Sequence, residues 1–220
     1  MGILIMNKMV VAALSGLLVS TAAQAEPASK VAWTPEQLNF VKKGNAAKGK
    51  ELSATCTGCH GEQGVSQVPN YPSLAGQLAT YTYKQLQDYK TGHRKHELMG
   101  SMVTGLSNQD MADLAVWFST LPTPKPQGSR QSLAKAEFLV KKGDGKRTLP
   151  PCAVCHGAEG KGEKMDIPAL AGQQADYFVQ TLEAYQKDER RNDIFGRMRI
   201  LSKQLTAEEI KELAQYYQAK

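Results

Sequence analysis

The chain has 220 residues, 41% of them hydrophobic and 22% charged, an ordinary globular composition with room for two domains of about 100 residues. Its formal charge of +6 is spread over both halves, which excludes a basic stripe of the kind that binds nucleic acid. The modest positive balance fits docking to acidic protein partners instead.

The N-terminus predicts an export signal over residues 1–25. Lys8 supplies the positive charge, residues 9–20 are almost wholly apolar, and an A-x-A cleavage site ends at Ala25. The apolar run is short for a membrane span, and an uncleaved N-terminal anchor is the alternative. We therefore expect a mature, soluble chain in the periplasm that starts at the next residue.

Helical patterns follow in chain order, and no alternating strand pattern accompanies them. Thr34 is a predicted helix cap, because proline follows it at the first helical position. Apolar and aromatic positions about four apart predict a helix in the middle of each half, over residues 77–91 and 173–189. Ser107 and Thr206 are predicted caps for the last helix of each half. The predicted fold class is all-α.

Four cysteines form two pairs, and each pair is followed at once by histidine and glycine. C-x-x-C-H is the attachment signal for c-type haem, because both cysteines reach the haem vinyl groups from one helical turn and the histidine then binds the iron. The predicted thioether cysteines are Cys56, Cys59, Cys152 and Cys155, and the predicted iron-binding histidines are His60 and His156. A redox dithiol or a zinc ribbon would use similar pairs, but these pairs lie 96 residues apart, far beyond ribbon spacing. The sequence therefore predicts two covalently bound haem c groups.

The two motifs belong to two copies of one repeating unit. The segment P-x-L-A-G-Q at 72–77 recurs at 168–173, in register with the haem motifs. Between the copies, the proline-rich residues 122–130 are a predicted semi-rigid, exposed linker. The chain should therefore fold as two tandem domains, residues 26–121 and residues 131–220.

The second axial ligand decides the chemistry, since an open iron binds small ligands whereas a methionine closes the site and raises the reduction potential. Met198 is the predicted ligand in the second half, seven residues before Leu205. Met99 has the same spacing before Leu106 and is favoured in the first half. Met102 is its rival, because it keeps the 96-residue offset from the attachment motif. The alternative is that these methionines only fill apolar gaps.

With these residues, the chain resembles the cytochrome c4 family of dihaem proteins over nearly all of its mature length. The resemblance rests on both haem motifs, both P-x-L-A-G-Q segments, the aromatic middle helices and both methionine spacings. It implies two class I cytochrome c domains in a pseudo-twofold arrangement and electron shuttling in the periplasm, typically toward a terminal oxidase. The implied iron ligands are His60 and Met99 in the first domain and His156 and Met198 in the second.

Some segments are specific to this chain or carry further candidate groups. The extension around Trp33 is longer than a minimal domain needs, and it bears on which partner docks. His93 and His96 could also serve the first iron, but the second half has no histidine besides His156, so we expect both to be solvated. Pro72 and Pro168 are expected on the proximal side of each haem, as the resemblance suggests.

The leading functional hypothesis is a non-enzymatic electron carrier. Its donor would be a quinol–cytochrome c reductase or a dehydrogenase, and its acceptor a terminal oxidase; no nucleic acid is expected, and a membrane only through partners or an uncleaved signal. A cytochrome subunit of a periplasmic dehydrogenase, such as a sulfide dehydrogenase, is the second hypothesis. A dihaem peroxidase or sensor is the third, and it would need an open iron.

Overall fold

The computed structural model of the protein describes residues 28–129 and 133–220. The predicted signal peptide, residues 1–25, lies outside these residues. Within them the chain forms helices and no β-strand, so the all-α prediction is confirmed. None of these helices is both long and apolar enough to cross a membrane.

The described residues contain eleven α-helices, six in the first half and five in the second. The helices of the first half are α1 (Pro35–Lys42), α2 (Ala46–Leu52), α3 (Thr57–His60), α4 (Ala79–Lys90), α5 (Glu97–Val103) and α6 (Asn108–Thr120). Those of the second half are α7 (Ala134–Lys141), α8 (Cys152–His156), α9 (Ala175–Gln186), α10 (Arg197–Ser202) and α11 (Ala207–Gln218). The predicted middle and last helices are therefore confirmed as α4, α9, α6 and α11.

The predicted helix starts are confirmed by their hydrogen bonds. The Thr34 hydroxyl accepts from the backbone N–H of Gln37, at the start of α1. Ser107 and Thr206 each form a reciprocal capping box with the acidic residue three positions later. The last helix of each domain therefore starts with the same kind of cap, and each packs on the middle helix of its domain.

The first domain packs α6 against α1, α2 and α4. At the crossing of α2 and α6, a Cβ on Gly49 would lie 2.0 Å from the carbonyl oxygen of Asp113, so only glycine allows the two backbones to come this close. The second domain packs α11 against α7 and α9 around one apolar cluster that includes Leu182, Leu213 and Tyr217. In both domains the last helix thus packs on the first and middle helices of that domain.

Two glutamines join the halves with reciprocal hydrogen bonds. The Gln77 side chain donates to the carbonyl of Ala169 (3.0 Å) and accepts from its N–H (2.9 Å). Gln173 makes the same pair of bonds to Ser73, at 3.0 and 2.9 Å. Because both glutamines end the repeated P-x-L-A-G-Q segment, the two domains meet through equivalent surfaces, as a pseudo-twofold arrangement requires.

The proline-rich segment that begins at residue 122, after α6, also contacts the second domain. Most of its described residues are exposed, but Pro124 is buried. It lies against Gly172, where a Cβ would come within 2.7 Å of the Pro124 carbonyl oxygen. Part of the segment is therefore packed on the second domain, because a glycine leaves room for it.

Candidate haem sites

The first haem motif is a single helical turn with a fixed end. Cys56 caps α3, and Cys59 and His60 occupy its last two positions. Gly61 then adopts φ +80°, and a Cβ there would lie 2.0 Å from the Val65 carbonyl oxygen. The glycine after the motif is thus needed for the turn that leads the chain away from the histidine.

The second motif repeats this arrangement. The helix α8 runs from Cys152 to His156 after Pro151, and Gly157 follows with φ +82°. Both halves therefore present two thiols and one imidazole from one short helix, as thioether attachment and proximal ligation require.

Both histidines are buried and held by one hydrogen bond. The His60 Nδ1 lies 2.8 Å from the carbonyl oxygen of Pro72, and the His156 Nδ1 lies 2.9 Å from that of Pro168. Because a carbonyl only accepts, Nδ1 carries the proton and the lone pair is left on Nε2. Burial lowers the pKa of both imidazoles, which keeps them in the neutral form that binds a metal.

All four motif cysteines are free and partly buried. Burial raises the pKa of the Cys56 thiol, and it raises that of Cys152 to about 11. A redox dithiol needs the opposite, a thiolate stabilised by its surroundings, so these thiols do not fit the thioredoxin alternative. Among the described residues, no group of three or more metal-binding side chains forms, which also leaves the zinc-ribbon alternative unsupported.

The methionine candidates lie on short helices that the sequence pattern did not predict. Met198 is the second residue of α10 and packs against the apolar cluster of the second domain, as Cys152 does. Met99 and Met102 both lie on α5, which packs on α4. Met102 is 42% exposed, whereas Met99 is partly buried. The assignment of any of them to an iron stays a prediction.

A cavity of about 650 Å³ is lined by residues that neighbour the expected ligands of the second iron. Ile167, which lines it, precedes the proline that holds His156, and Arg197, which also lines it, precedes Met198. Trp33, from the extension before the first domain, also lines this cavity.

The remaining candidates take structural roles or stay at the surface. His96 caps α5 by accepting from the N–H of Met99, and the His93 Nδ1 lies 2.9 Å from the Thr91 hydroxyl. Sequence reasoning missed Arg94 and Arg190, which lie at the contact between the domains. The 96-residue offset between them was the available signal, because it equals the offset of the haem motifs.

These donor sets fit haem c. Each half provides two unpaired thiols, one neutral imidazole with a free Nε2, and an adjoining apolar cluster. Thioether formation consumes the thiols, and the remaining ring nitrogen is the usual proximal ligand of haem iron.

Comparison with known proteins places the chain in a family. The family model described as cytochrome c matches twice, at residues 46–122 and 144–219. Cytochrome c4 of Thiocapsa roseopersicina is 39% identical over 170 residues, which are 76% of this chain and 88% of that protein. A thiosulfate dehydrogenase electron acceptor of Stutzerimonas stutzeri is 29% identical and spans 94% of this chain and 92% of its own length.

A solved structure agrees with this assignment. The crystal structure of reduced recombinant cytochrome c4 from Pseudomonas stutzeri superposes with a TM-score of 0.77 at 34% identity, covering 80% of this chain and 98% of that one. Two cytochrome c domains, two attachment motifs and this overall match give the chain two covalent haem c groups and a role in electron transfer. The chain belongs to the cytochrome c4 family of dihaem proteins.

Proposed function

We propose that this dihaem cytochrome works in the periplasm and carries single electrons between respiratory redox proteins, toward a terminal oxidase. The observation that carries the proposal is the repeated site, in which a buried histidine on a C-x-x-C-H helix is held by a proline carbonyl. Two equivalent sites of this kind suit one-electron transfer better than turnover of a substrate.

Each iron has one proposed protein ligand on either side. These ligands are His60 and Met99 for the first haem and His156 and Met198 for the second, with thioethers at Cys56, Cys59, Cys152 and Cys155. Support for Met99 over Met102 is that Met99 is the less exposed of the two. Support for Met198 is its packing on the same apolar cluster as Cys152.

The protein contributes orientation and exclusion of water. Haem c supplies the one-electron Fe(III)/Fe(II) chemistry. The Pro72 and Pro168 carbonyls fix each imidazole, and burial of His60 and His156, at 7% and 8% exposure, keeps water away from both rings. Methionine ligands would keep external molecules off the irons. The set of ligands around each iron should therefore be the same in the oxidised and the reduced protein.

The segment before and along α10 offers apolar side chains to a partner. Phe195 is 87% exposed and Ile200 is 61% exposed, and both lie within three residues of Met198. Phe195 also has a left-handed φ of +60°, which costs energy for a non-glycine residue and is retained mostly where it serves a function. We expect the redox partner to dock on this face of the second domain.

A second candidate partner is a thiosulfate-oxidising dehydrogenase. The observation that favours it is the match to a thiosulfate dehydrogenase electron acceptor over 94% of this chain. In this role the protein would accept electrons from the dehydrogenase, and its own residues would perform no chemistry on thiosulfate. This role resembles that of a cytochrome subunit of a sulfide dehydrogenase, except that the dehydrogenase would oxidise thiosulfate.

Reduction and oxidation by purified partners test these proposals. The oxidised protein is mixed with thiosulfate, with and without a thiosulfate dehydrogenase, and the reduced protein is mixed with a terminal oxidase in air. The oxidation state of the haems is followed by their absorbance bands. We expect the reduced protein to be reoxidised only when the oxidase is present. We expect thiosulfate alone not to reduce the oxidised protein. Rapid reduction only when the dehydrogenase is present would support the second candidate. Failure of the oxidase to speed reoxidation would contradict the proposed acceptor.

A further inference from the structure

Tyr217, near the end of α11, is the largest of the almost completely buried side chains among the described residues, at 1% exposure. Its ring stacks on that of Phe178 from α9, with 5.7 Å between the centroids, and meets the ring of Tyr216 edge to face at 5.4 Å. A Cβ on Gly160 would lie 2.9 Å from the Tyr217 ring. The ring is therefore enclosed by two helices and by the loop that follows the second haem motif.

The hydroxyl at the end of this ring has no hydrogen-bond partner among the described residues. Burial raises the pKa of Tyr217, so the phenol keeps its proton and remains a hydrogen-bond donor. A buried donor without an acceptor costs free energy, and folded proteins nearly always satisfy such a group. We therefore expect its acceptor to come from a group that is not part of the polypeptide.

The first domain shows that packing does not require this hydroxyl. Phe118 lies 99 residues before Tyr217, at the equivalent place in α6, and is likewise buried. A Cβ on Gly64 would lie 3.1 Å from the Phe118 ring, the counterpart of the contact at Gly160. Phe118 also belongs to the apolar cluster against which Cys56 packs. An apolar ring thus fills this place, and the hydroxyl is an addition in the second domain.

The Tyr217 hydroxyl belongs to the compartment of the second haem. Cys152, a thioether anchor, packs against the apolar cluster that contains Tyr217. The charge of a Cys152 thiolate would raise the pKa of Tyr217, so the two groups are electrostatic neighbours. A thioether sulfur keeps its lone pairs and has no proton, and the haem ring presents an electron-rich face, so both accept a hydrogen. Haem attachment at Cys152 would bring both acceptors to this donor.

We propose that Tyr217 presents its hydroxyl hydrogen to the second haem beside the Cys152 thioether, and that it thereby raises the reduction potential of this haem. The proposal deepens the proposed electron-transfer function and rests on it. The positive end of the O–H dipole favours the more negative, reduced state of the iron, and a buried site screens this effect weakly. Phe118 has no such dipole, so this donor distinguishes the two similar sites.

The test measures the midpoint potential of each haem separately, from the haem methyl NMR signals during a redox titration of the two-haem protein. We expect Tyr217→Phe to lower the potential of the second haem by about threefold in equilibrium constant, or ~28 mV for a one-electron couple. The potential of the first haem should move by less than about 1.5-fold, or ~10 mV.

The matched control is Tyr216→Phe, which removes a hydroxyl from the neighbouring ring of the same helix. The Tyr216 hydroxyl accepts a hydrogen bond from Lys220 at 3.4 Å, so a protein group already satisfies it. This control should shift both potentials by less than about 1.5-fold, or ~10 mV. An unchanged or raised potential of the second haem in Tyr217→Phe, or equal shifts in variant and control, would overturn the proposal.

A crystal structure of the unmodified two-haem protein decides if Tyr217→Phe fails to acquire both haems. The nearest acceptor to the Tyr217 hydroxyl should then be the second haem or its Cys152 sulfur, and a water or a backbone carbonyl in that place would overturn the proposal. No partner protein takes part in these measurements. The proposed electron-transfer route can therefore fail while this proposal stands, and the reverse.

Discussion

Replacing Met99 with alanine should open the first iron to carbon monoxide, whereas replacing Met102 should not. Both residues lie on α5, but Met102 is 42% exposed and Met99 is partly buried. Loss of a methionine ligand leaves an axial position for an external molecule and lowers the reduction potential. About half of the haem absorbance should therefore respond to carbon monoxide in Met99→Ala.

Met198→Ala is the matched variant for the second haem. It should give a response of similar size, because Met198 has the same spacing to the last helix as Met99. The measurement is the difference spectrum of the reduced protein before and after carbon monoxide, with haem content checked for two groups per chain. A response in Met102→Ala but not in Met99→Ala would assign the first iron to Met102.

Replacing Asp88 with asparagine should destabilise the folded protein by about 3–5 kcal/mol, because it leaves a buried lysine without its counter-charge. Asp88 accepts from Lys84 at 2.5 Å, and the two side chains are 0% and 1% exposed. Asp88 also accepts from Asn192 of the second domain and from Ser29 of the N-terminal segment. The pair therefore lies where three parts of the chain meet, and urea unfolding followed by circular dichroism should show a lower midpoint.

The control for this change is Glu183→Gln on α9, which breaks an exposed pair with Lys187 at the same helical spacing. It should cost less than about 0.5 kcal/mol. Adding Lys84→Met to Asp88→Asn should recover about half of the loss, since no buried charge then remains. An Asp88→Asn midpoint as high as that of the control would contradict the burial argument.

The stability of the Asp88→Asn variant should depend on pH in a characteristic way. Burial lowers the pKa of Lys84 in the folded protein, and Asp88 opposes this effect. Without Asp88, the folded state should bind fewer protons at Lys84 than the unfolded state does, so its stability should rise with pH. The destabilisation by Asp88→Asn should therefore shrink as the pH is raised from 7 toward the ordinary lysine pKa of about 10.4.

Local signals were sufficient for the start of α1, for the middle and last helices of each half, and for the haem motifs. Thr34, Ser107 and Thr206 cap helices as predicted, because capping depends on residues within one turn. Pro72 and Pro168 were expected near the haem-binding histidines. The structure gives them a specific role, because their carbonyls hold His60 and His156. The internal repeat predicted the two domains, and the family resemblance implied their pseudo-twofold arrangement.

Contacts between the halves could not be predicted in the same way. Arg94 lies between His93 and His96, which we expected to be solvated, yet it donates to Tyr177 across the junction. Gln77 and Gln173 were visible as repeated residues, but their reciprocal bonds depend on how two folded domains meet. The short helices α5 and α10 were missed because seven and six residues give too little periodic pattern.

The visible spectrum of the two-haem protein, oxidised and reduced, with and without carbon monoxide, tests the central claim most directly. We expect two low-spin haems whose reduced spectrum does not change when carbon monoxide is added, because histidine and methionine are the proposed ligands at the two axial positions of each iron. A substantial carbon monoxide shift in the unmodified protein would show an open iron, and would contradict a closed-site electron carrier in favour of catalysis or sensing.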